Sequence, residues 1–422
     1  MSNSWGLKMI REASLILTAA TLTLVVTACD NYSHNSIANT PPANYINLTM
    51  SKTYGGAEFD WGSSVVTFED NGYVIAGVTT SNGYGVNTLY LARVSSNGDL
   101  TWYTYFGGWG EDKGEDVKIT ADSFIVVAGV TNSYDLEKHR YIDPNLGEEP
   151  DDFNFYLIKT DMNGLPLWEK AYGDTNYTER GTAVDVSPTG YLIVGYRHES
   201  EDAEDPYFVR TDTDGDVLWQ KIHATDYVDR VCSVVGTNDG NFVAGGYSRV
   251  TGAVTTRPYL IKLDPGGTIL WERILGSPTS VERIFDIIQT SDGGIAGVGV
   301  ANPASSPGSV LYVLKTDANG QAQWANAYPH SGIIEGRSIV ESPDGSLVVC
   351  GQNTGENAIQ IAKIDAAGNL LWADSSGVAG FGMSISTCET GYVITGSTTY
   401  PDHRLLNDVL LIKVVEDLTN VE

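Results

Sequence analysis

Short apolar strands recur along most of the chain, and each of them ends in a glycine. Examples are YVIAG, IVVAG, YLIVG and YVITG, and the seven copies end at Gly77, Gly129, Gly195, Gly245, Gly299, Gly351 and Gly396. Apolar runs of this length, rich in β-branched residues and bounded by turn residues, are typical of buried β-strands. The pattern predicts an all-β protein built from seven repeats.

A tryptophan four residues after a glycine marks a second position in the repeat. The six pairs are Gly98/Trp102, Gly164/Trp168, Gly215/Trp219, Gly267/Trp271, Gly320/Trp324 and Gly368/Trp372, with a mean interval of about 54 residues. Turn sequences such as Asn71-Gly72 separate four strand-like segments in each unit. Four antiparallel strands at this period predict a seven-bladed β-propeller.

The last repeat lacks its fourth strand, and the start of the repeat region supplies a candidate for it. Residues 47–56 (NLTMSKTYGG) match 164–174 (GLPLWEKAYGD), with Met50 in the place of Trp168. We therefore expect the propeller to span 47–418 and to be closed by an N-terminal strand that completes the last blade. Such closure leaves no open sheet edge.

Three other repeated features predict structural roles. We expect the tryptophans to pack between blades. A basic residue in each third strand should lie diagonal to the tryptophan, within reach of a cation–π contact or an acidic neighbour. The acids before the tight turns should bind turn amides; they are Asp161, Asp212, Asp264, Asp317 and Asp365.

The N-terminus has the features of an export signal. Lys8 and Arg11 precede an apolar stretch too short to span a bilayer comfortably, so 1–28 is predicted to be a signal peptide. Val26-Thr27-Ala28-Cys29 resembles the bacterial lipobox, which implies that Cys29 is acylated; the alternative is an ordinary signal peptide. Polar residues then predict a flexible tether over 29–46. We expect a lipid-anchored protein of a bacterial cell envelope, at the outer rather than the inner membrane.

The formal net charge of −28 restricts the partners of the chain. A field of that sign repels nucleic acid, so we expect no nucleic-acid partner, and it favours cationic partners or divalent metals. Acidity that only keeps the protein soluble is the alternative. Three cysteines remain after Cys29, and their odd number and wide spacing favour small apolar strand residues over a disulfide framework: Cys232, Cys350 and Cys388.

Acidic insertions distinguish blades 2 and 3 from the others. They occupy 132–152 and 197–206, in the loops that join second to third strands. We expect them to form a binding patch for a protein or glycan, to which a basic surface would be complementary, with these candidate residues: Asp143, Glu148, Glu149, Asp151, Asp152, Glu201, Asp202, Glu204 and Asp205. Calcium could use such acids, although no cofactor is expected. Asp212, Asp214 and Asp216 depart from an EF-hand loop in the position of their glycine.

Further acids occur at the entry to the first strands, on the same predicted face. They are Asp60, Asp112, Glu179, Asp229, Glu282 and Glu335. The next residue is basic in four of them, which predicts local ion pairs: Lys113, Arg180, Arg230 and Arg283.

The motif K-x-D-x-x-G-x-x-x-W, seen at 315–324 and 363–372, resembles the repeats of quinoprotein-like (PQQ-like) propellers. That superfamily contains quinone-dependent alcohol dehydrogenases as well as non-enzymatic propeller lipoproteins. This chain has seven repeats rather than eight and lacks an adjacent cysteine pair, so no PQQ-binding residue carries over. The resemblance implies the fold and does not imply an activity.

Sequence motifs for catalysis are absent. The six histidines show no metal-ligand spacing, and the chain contains no G-x-S-x-G, HExxH or P-loop pattern. We therefore expect a monomeric binding or scaffold module and not an enzyme. The alternative is a divergent propeller enzyme, either a quinoprotein-like oxidoreductase or a glycan-active hydrolase or lyase. Converging acids or arginines in a deep central pocket would favour the enzyme, and a wide, shallow, acidic face would favour the module.

Overall fold

The computed structural model describes residues 45–81, 86–136, 140–141, 152–200, 203–250, 252–303, 308–353, 357–398 and 407–417. Their secondary structure consists of β-strands and turns. No helix in these ranges is long and apolar enough to cross a membrane. The predicted signal peptide, Cys29 and nearly all of the predicted tether lie outside the described residues.

Strand β1 (Ile46–Tyr54) precedes the first complete blade, and the other strands follow in groups of four. Blade 1 contains β2 (Asp60–Thr67), β3 (Tyr73–Thr79), β4 (Thr88–Val94) and β5 (Leu100–Phe106). Blade 2 spans β6 (Asp112–Ile119), β7 (Ile125–Thr131), the short pair β8 (Tyr134–Asp135) and β9 (Arg140–Tyr141), β10 (Asn154–Thr160) and β11 (Pro166–Tyr172). Blade 3 contains β12 (Thr178–Ser187), β13 (Gly190–Ser200), β14 (Ala203–Thr211) and β15 (Val217–Ile222).

The remaining blades follow the same order. Blade 4 contains β16 (Tyr227–Gly236), β17 (Phe242–Val250), β18 (Arg257–Leu263) and β19 (Ile269–Ile274). Blade 5 contains β20 (Val281–Gln289), β21 (Ile295–Asn302), β22 (Val310–Thr316) and β23 (Ala322–Tyr328). Blade 6 contains β24 (Glu335–Glu341), β25 (Leu347–Asn353), β26 (Ala358–Ile364) and the first half of β27 (Leu370–Cys388). Blade 7 contains the rest of β27, then β28 (Gly391–Thr398) and β29 (Val409–Glu416).

The seven blades form a closed ring. The first strand of each blade contacts the first strands of both neighbours, in the order β2, β6, β12, β16, β20, β24 and β27. The second and third strands are almost completely buried, whereas the fourth strands are largely exposed and lie outermost. The predicted all-β, seven-bladed propeller of four-stranded antiparallel blades is confirmed.

Closure of the ring also follows the prediction. β1 pairs antiparallel with β29 and forms the outer strand of blade 7. Met50 lies opposite Lys413, as Trp168 lies opposite Lys159 in blade 2. β1 begins at Ile46, one residue before the predicted start of the propeller. The propeller is therefore closed by joining the two ends of the chain in one sheet.

The tryptophans pack against the following blade, as predicted. A Cβ atom at Gly164, in the turn between β10 and β11, would lie only 2.7 Å from the Trp102 ring of blade 1. The indole N–H of Trp102 also donates to the Met162 carbonyl in that turn at 3.1 Å. Glycine is therefore required at this turn both for its positive φ of 79° and for the approach of the ring. Blade 7 has no such turn, and there Trp372 stacks on Tyr45 instead.

The third-strand cations lie directly opposite the tryptophans, so their predicted diagonal placement is wrong. A β-bulge beside the turn shifts the register by one residue and brings Lys159 opposite Trp168. The predicted neighbours are present: Lys159 lies 4.5 Å from the Phe124 ring centre, and Lys262 binds Asp239 at 2.7 Å. Some of these cations also bind the next blade, since Lys159 donates to the Thr213 carbonyl of blade 3 at 3.2 Å.

Aspartates on the inner strands bind both neighbouring blades. Asp286 of blade 5 accepts hydrogen bonds from Ser233 Oγ of blade 4 at 2.9 Å and from Ser338 Oγ of blade 6 at 2.9 Å. It also accepts from the Ile339 amide at 3.1 Å. Asp116 joins blades 1 and 3 in the same way. Backbone pairing holds each blade together, and these side chains bind one blade to the next.

We expect loss of β1 to open blade 7. A chain lacking residues 1–44 should keep the stability of the full chain, because β1 is intact. A chain lacking 1–56 should expose the edge of β29, melt at a lower temperature and aggregate. Thermal melting followed by light scattering compares the two, and equal melting temperatures would contradict closure by β1.

We expect Asp286→Ala to lower the free energy of unfolding by about 3 kcal/mol, because three hydrogen-bond donors in two blades lose their acceptor. Asp317→Ala is the control, since the carboxylate of that half-buried acid binds only amides of its own turn. Urea unfolding measures both changes. A loss for Asp286→Ala no larger than that for the control would show that the inner contacts are unimportant.

Candidate functional site

The long loops and the connections between blades meet on one side of the ring, which we call the loop face. There the Glu179 amide, before β12, donates to the Phe153 carbonyl of the preceding blade at 2.7 Å, and the Glu282 amide donates to Thr256 in the same way. The tight turns lie on the opposite side, the turn face. This division agrees with the predicted placement of the insertions.

Six of the nine predicted patch residues lie outside the described residues: Asp143, Glu148, Glu149, Asp151, Glu201 and Asp202. For them the acidic patch stays a prediction. Asp152 is exposed on the loop face, and its carboxylate accepts a hydrogen bond from Thr178 Oγ1 at 3.0 Å.

Glu204 and Asp205 are not free acids, so their assignment to an unpaired patch is wrong. The blade 3 insertion is a hairpin extension rather than a loop, and both residues lie in β14. Glu204 is 4% exposed and receives two hydrogen bonds from Arg230. Burial alone would raise the pKa of Glu204, but Arg230 and His198 lower it below its usual value. Asp205 is buried and accepts from the Thr225 amide at 3.1 Å.

The acids at the blade entries are also internal. Asp112 is buried, and it accepts from Thr131 Oγ1, from Ser133 Oγ at 2.7 Å and from the Gly108 amide at 2.8 Å. Burial raises the pKa of Asp112 to about 6. The predicted local ion pairs are therefore wrong, because alternate residues of a strand point to opposite faces and Lys113 turns away from Asp112.

Glu335 does not belong to this set of entry acids. It pairs with Gln352 in the register where Lys113 pairs with Val130, and Ile334 occupies the place of the buried acid. In blade 6 the acid directly precedes Gly336, whereas Lys113 stands between Asp112 and Gly114 in blade 2. Glu335 instead binds Arg337 at 2.8 Å.

The basic residues that follow the buried entry acids form a separate group on the loop face. We define the basic row as Lys113, Arg180, Arg230, Arg283 and Arg337, which come from the inner strands of blades 2 to 6. All five lie near the loop-face ends of these strands. They are half-buried: the exposed fractions of the Lys113, Arg337 and Arg230 side chains are 20%, 30% and 35%.

Aromatic rings from the preceding blade hold the arginines in place. The guanidinium of Arg180 lies 4.5 Å from the Phe153 ring centre. Arg283 lies 4.9 Å from Tyr247, over which Arg230 also lies at 6.0 Å. Arg337 and Phe285 repeat the contact between blades 5 and 6 at 5.0 Å. Each arginine therefore covers a seam between two blades, at a cation–π distance.

Acids compensate the row only in part. Lys113 binds Glu111 at 3.1 Å, Arg230 binds Glu204, and Arg337 binds Glu335. Within the described residues, neither Arg180 nor Arg283 forms an ion pair. An arginine whose donors are not all used can bind a carboxylate or phosphate in a bidentate manner.

Two titratable groups in the inner strands lie beside the row. Glu115 lies in the β-bulge of β6, where burial raises its pKa to about 7 although Lys113 and Arg180 act to lower it. The thiol of Cys232 occupies the same position in β16; burial raises its pKa to about 11, against the charges of Arg230 and two other arginines of the row. A carboxyl group that titrates near neutrality thus adjoins the row.

The bases of this row are visible in the sequence, but their position beside an acid predicted local ion pairs instead of a shared surface. A base directly follows the entry acid in blades 2 to 5, and this regular position was the signal for the row. Because Arg230 binds Glu204, which lies 26 residues away, no local pattern could identify its partner.

A second feature of the loop face is a cleft of about 240 Å³ beside blade 3, lined by Glu179, Arg197, Tyr207 and Gln220 among others. Glu179 is buried, and its carboxylate accepts one long hydrogen bond, from the Asp174 amide at 3.3 Å. Arg197 stands where Thr131 and Ser248 supply hydroxyl groups in other blades, and it turns to Tyr177. Burial raises the pKa of Glu179 to about 8.

The candidate metal and thiol residues have simple environments. One oxygen of Asp212 accepts the amides of Asp214 and Asp216 at 2.9 Å each, as predicted for a turn acid. Among the described residues, no three His, Cys, Asp or Glu side chains are arranged to hold a metal ion. The three cysteines lie in strands with free thiols, as expected.

Comparisons with known proteins support the fold. No protein-family model matches the chain, and no curated protein matches it. The Neurospora crassa Pan2 WD40 domain is 13% identical, with a TM-score of 0.54 over 89% of this chain and 97% of that one. The polysaccharide lyase Uly1 is 12% identical, with a TM-score of 0.50 over 91% of this chain and 94% of that one.

These similarities, together with the closed ring of blades, define the protein as a β-propeller. At identities this low they show the fold alone. The lipoprotein and quinoprotein-like resemblances stay predictions.

We expect Glu179 to make stability fall as the pH rises from 4.5 to about 8. Its pKa is raised on folding, so the folded state holds the proton to a higher pH than the unfolded state, and ionisation favours unfolding. Urea unfolding across this range should give a flatter pH dependence for Glu179→Gln than for the wild type. Asp161→Asn is the control, because Asp161 has a lowered pKa and does not titrate in this range. Parallel pH profiles for all three proteins would refute the assignment.

Proposed function

We propose that this protein is an exported, lipid-anchored binding module of the bacterial cell envelope that binds anionic groups of a protein or glycan through the basic row. The observation that carries this proposal is the grouping of five cations on five successive blades, in a chain with 25 basic and 53 acidic residues. Such grouping in a strongly acidic protein favours a specific role over general surface charge.

The preorganisation of the row supports binding. Aromatic rings of the neighbouring blades fix the guanidinium groups before any ligand arrives. Side chains that are already ordered lose less conformational entropy on association, so more of the contact energy appears as affinity. Propellers commonly present such sites on the face that carries their long loops.

The chain enters the propeller at the turn face, and this determines the side on which the proposed anchor is attached. Ile46 lies opposite Glu416, and Glu416 binds Lys363 together with Asp344 of a tight turn, so β1 begins at the turn face. Acylation at Cys29 would leave 16 residues before Tyr45, which span at most about 55 Å. The segment that follows Cys29 would then join the propeller at its turn face, on the side opposite to the loop face.

A second candidate function is catalysis on an anionic substrate, as a divergent propeller enzyme. The observation that favours it is Glu115, whose pKa of about 7 suits a general acid or base, beside two cations of the row. Turnover of an anionic glycan that is lost in Glu115→Gln, with binding retained, would support the enzyme over the module.

The row is tested by the double variant Arg180→Ala/Arg283→Ala. Acylated wild-type protein should retain an envelope partner in a pull-down, and the double variant should lose it because the two unpaired cations are gone. Arg273→Ala is the matched control: it also removes an arginine stacked on an aromatic ring, Trp271, but away from the row. Equal retention by the double variant, with an unchanged melting temperature, would contradict the proposed function.

The anchor is tested separately by Cys29→Ser. We expect the variant to leave the membrane fraction, because acylation requires the thiol and one apolar stretch of this length holds a membrane poorly once unacylated. Membrane fractionation with a high-salt wash measures the effect. Retention equal to the wild type would exclude lipid anchoring at this position.

A further inference from the structure

The contacts of the arginines determine which part of them a ligand can reach. Guanidinium groups already lie over Phe153, Tyr196 and Tyr247, at 4.5, 4.5 and 4.9 Å from the ring centres. These ring faces are therefore covered by cations and offer no free platform for a stacked base. What remains open to a ligand is the N–H edge of each guanidinium, which recognises negatively charged oxygen.

The unused donors that a ligand can reach lie on two separate blades. The Nε and Nη2 groups of Arg230 both donate to Glu204, so this edge is occupied. Arg283 has one long contact, from its Nε to Thr256 Oγ1 at 3.3 Å. Arg337 is not open either, because its Nη2 binds Glu335 at 2.8 Å and its Nε is buried. The open edges are therefore those of Arg180 on blade 3 and Arg283 on blade 5, and blade 4 lies between them, so one compact anion cannot reach both.

The depth of the row restricts the shape of the ligand. At most about a third of the Lys113, Arg230 or Arg337 side chain is exposed. A flat and rigid acidic protein surface would therefore not reach the guanidinium edges of the row. A thin, flexible chain can follow them. The net charge of −28 opposes a densely charged polymer such as nucleic acid, and opposes sparsely placed charges less.

We propose that the basic row binds an acidic polysaccharide whose carboxylate groups are spaced along the chain. This inference rests on the proposed function of the row. One carboxylate would accept N–H groups from Arg180 and another from Arg283, while the sugars between them pass over blade 4.

Isothermal titration calorimetry with polygalacturonate oligosaccharides tests the inference on the folded propeller. We expect binding that weakens with salt and disappears with methyl-esterified oligosaccharides, which keep the sugar and lose the charge. Arg180→Ala/Arg283→Ala should weaken binding by about tenfold to a hundredfold. Arg283→Lys should give an intermediate loss because it keeps the charge without the planar edge. Arg273→Ala should bind like the wild type.

Three results would overturn the inference: equal binding of the methyl-esterified oligosaccharides, tighter binding of polyglutamate or single-stranded DNA, or no effect of the double variant. Arg180→Gln alone provides a second test if the double variant melts at a lower temperature. Should the double variant lose its envelope partner while polygalacturonate fails to bind, the proposed function stands and the polysaccharide assignment falls.

Discussion

The structure depends on contacts that cross from one blade to the next. Each four-stranded sheet satisfies its own backbone, so the hydrogen bonds of the ladders do not hold the ring together. Side chains hold the blades together at three distances from the centre of the ring. Asp286 and its serine partners do so on the inner strands, and apolar side chains do so on the second and third strands. On the outer strands, Trp102 packs on a turn of the next blade. Only at the end of the ring does a ladder join distant parts of the chain, where β1 pairs with β29.

Because side chains within the strands join the blades, the residues of the loop face can differ from blade to blade. Because the seams are fastened by residues within the strands, blade 3 can extend its hairpin and replace a hydroxyl partner by Arg197 without losing its place in the ring. The acids at the blade entries illustrate the same point. Asp112 is held by hydroxyl groups and an amide, whereas Glu179 lies in an open cleft with one long hydrogen bond. Departures from the repeat therefore indicate where function can be sought.

Most of the fold was predictable from the sequence, since it rests on local signals that occur seven times. Turn glycines, alternating strands and the match of 47–56 to a fourth strand gave the blade, the blade number and the closure. The register of Lys159 was missed because a β-bulge shifts it, and such bulges have no strong local signature. The site was harder to predict. Glu204 looked like a loop acid, but its partner Arg230 comes from another blade, and pairing across a seam is not visible in one repeat.

The way the arginines span the seams links binding to the mechanics of the ring. Arg180, Arg283 and Arg337 each belong to one blade by backbone and to the preceding blade by their aromatic contact. A polymer bound to two of them would act as a clasp across the blades between them. Since a ligand stabilises whatever state holds its site together, occupancy would resist separation of those blades, and a ring already loosened at a seam would bind more weakly. Ligand affinity would then depend on how firmly the blades on either side of those seams are packed together.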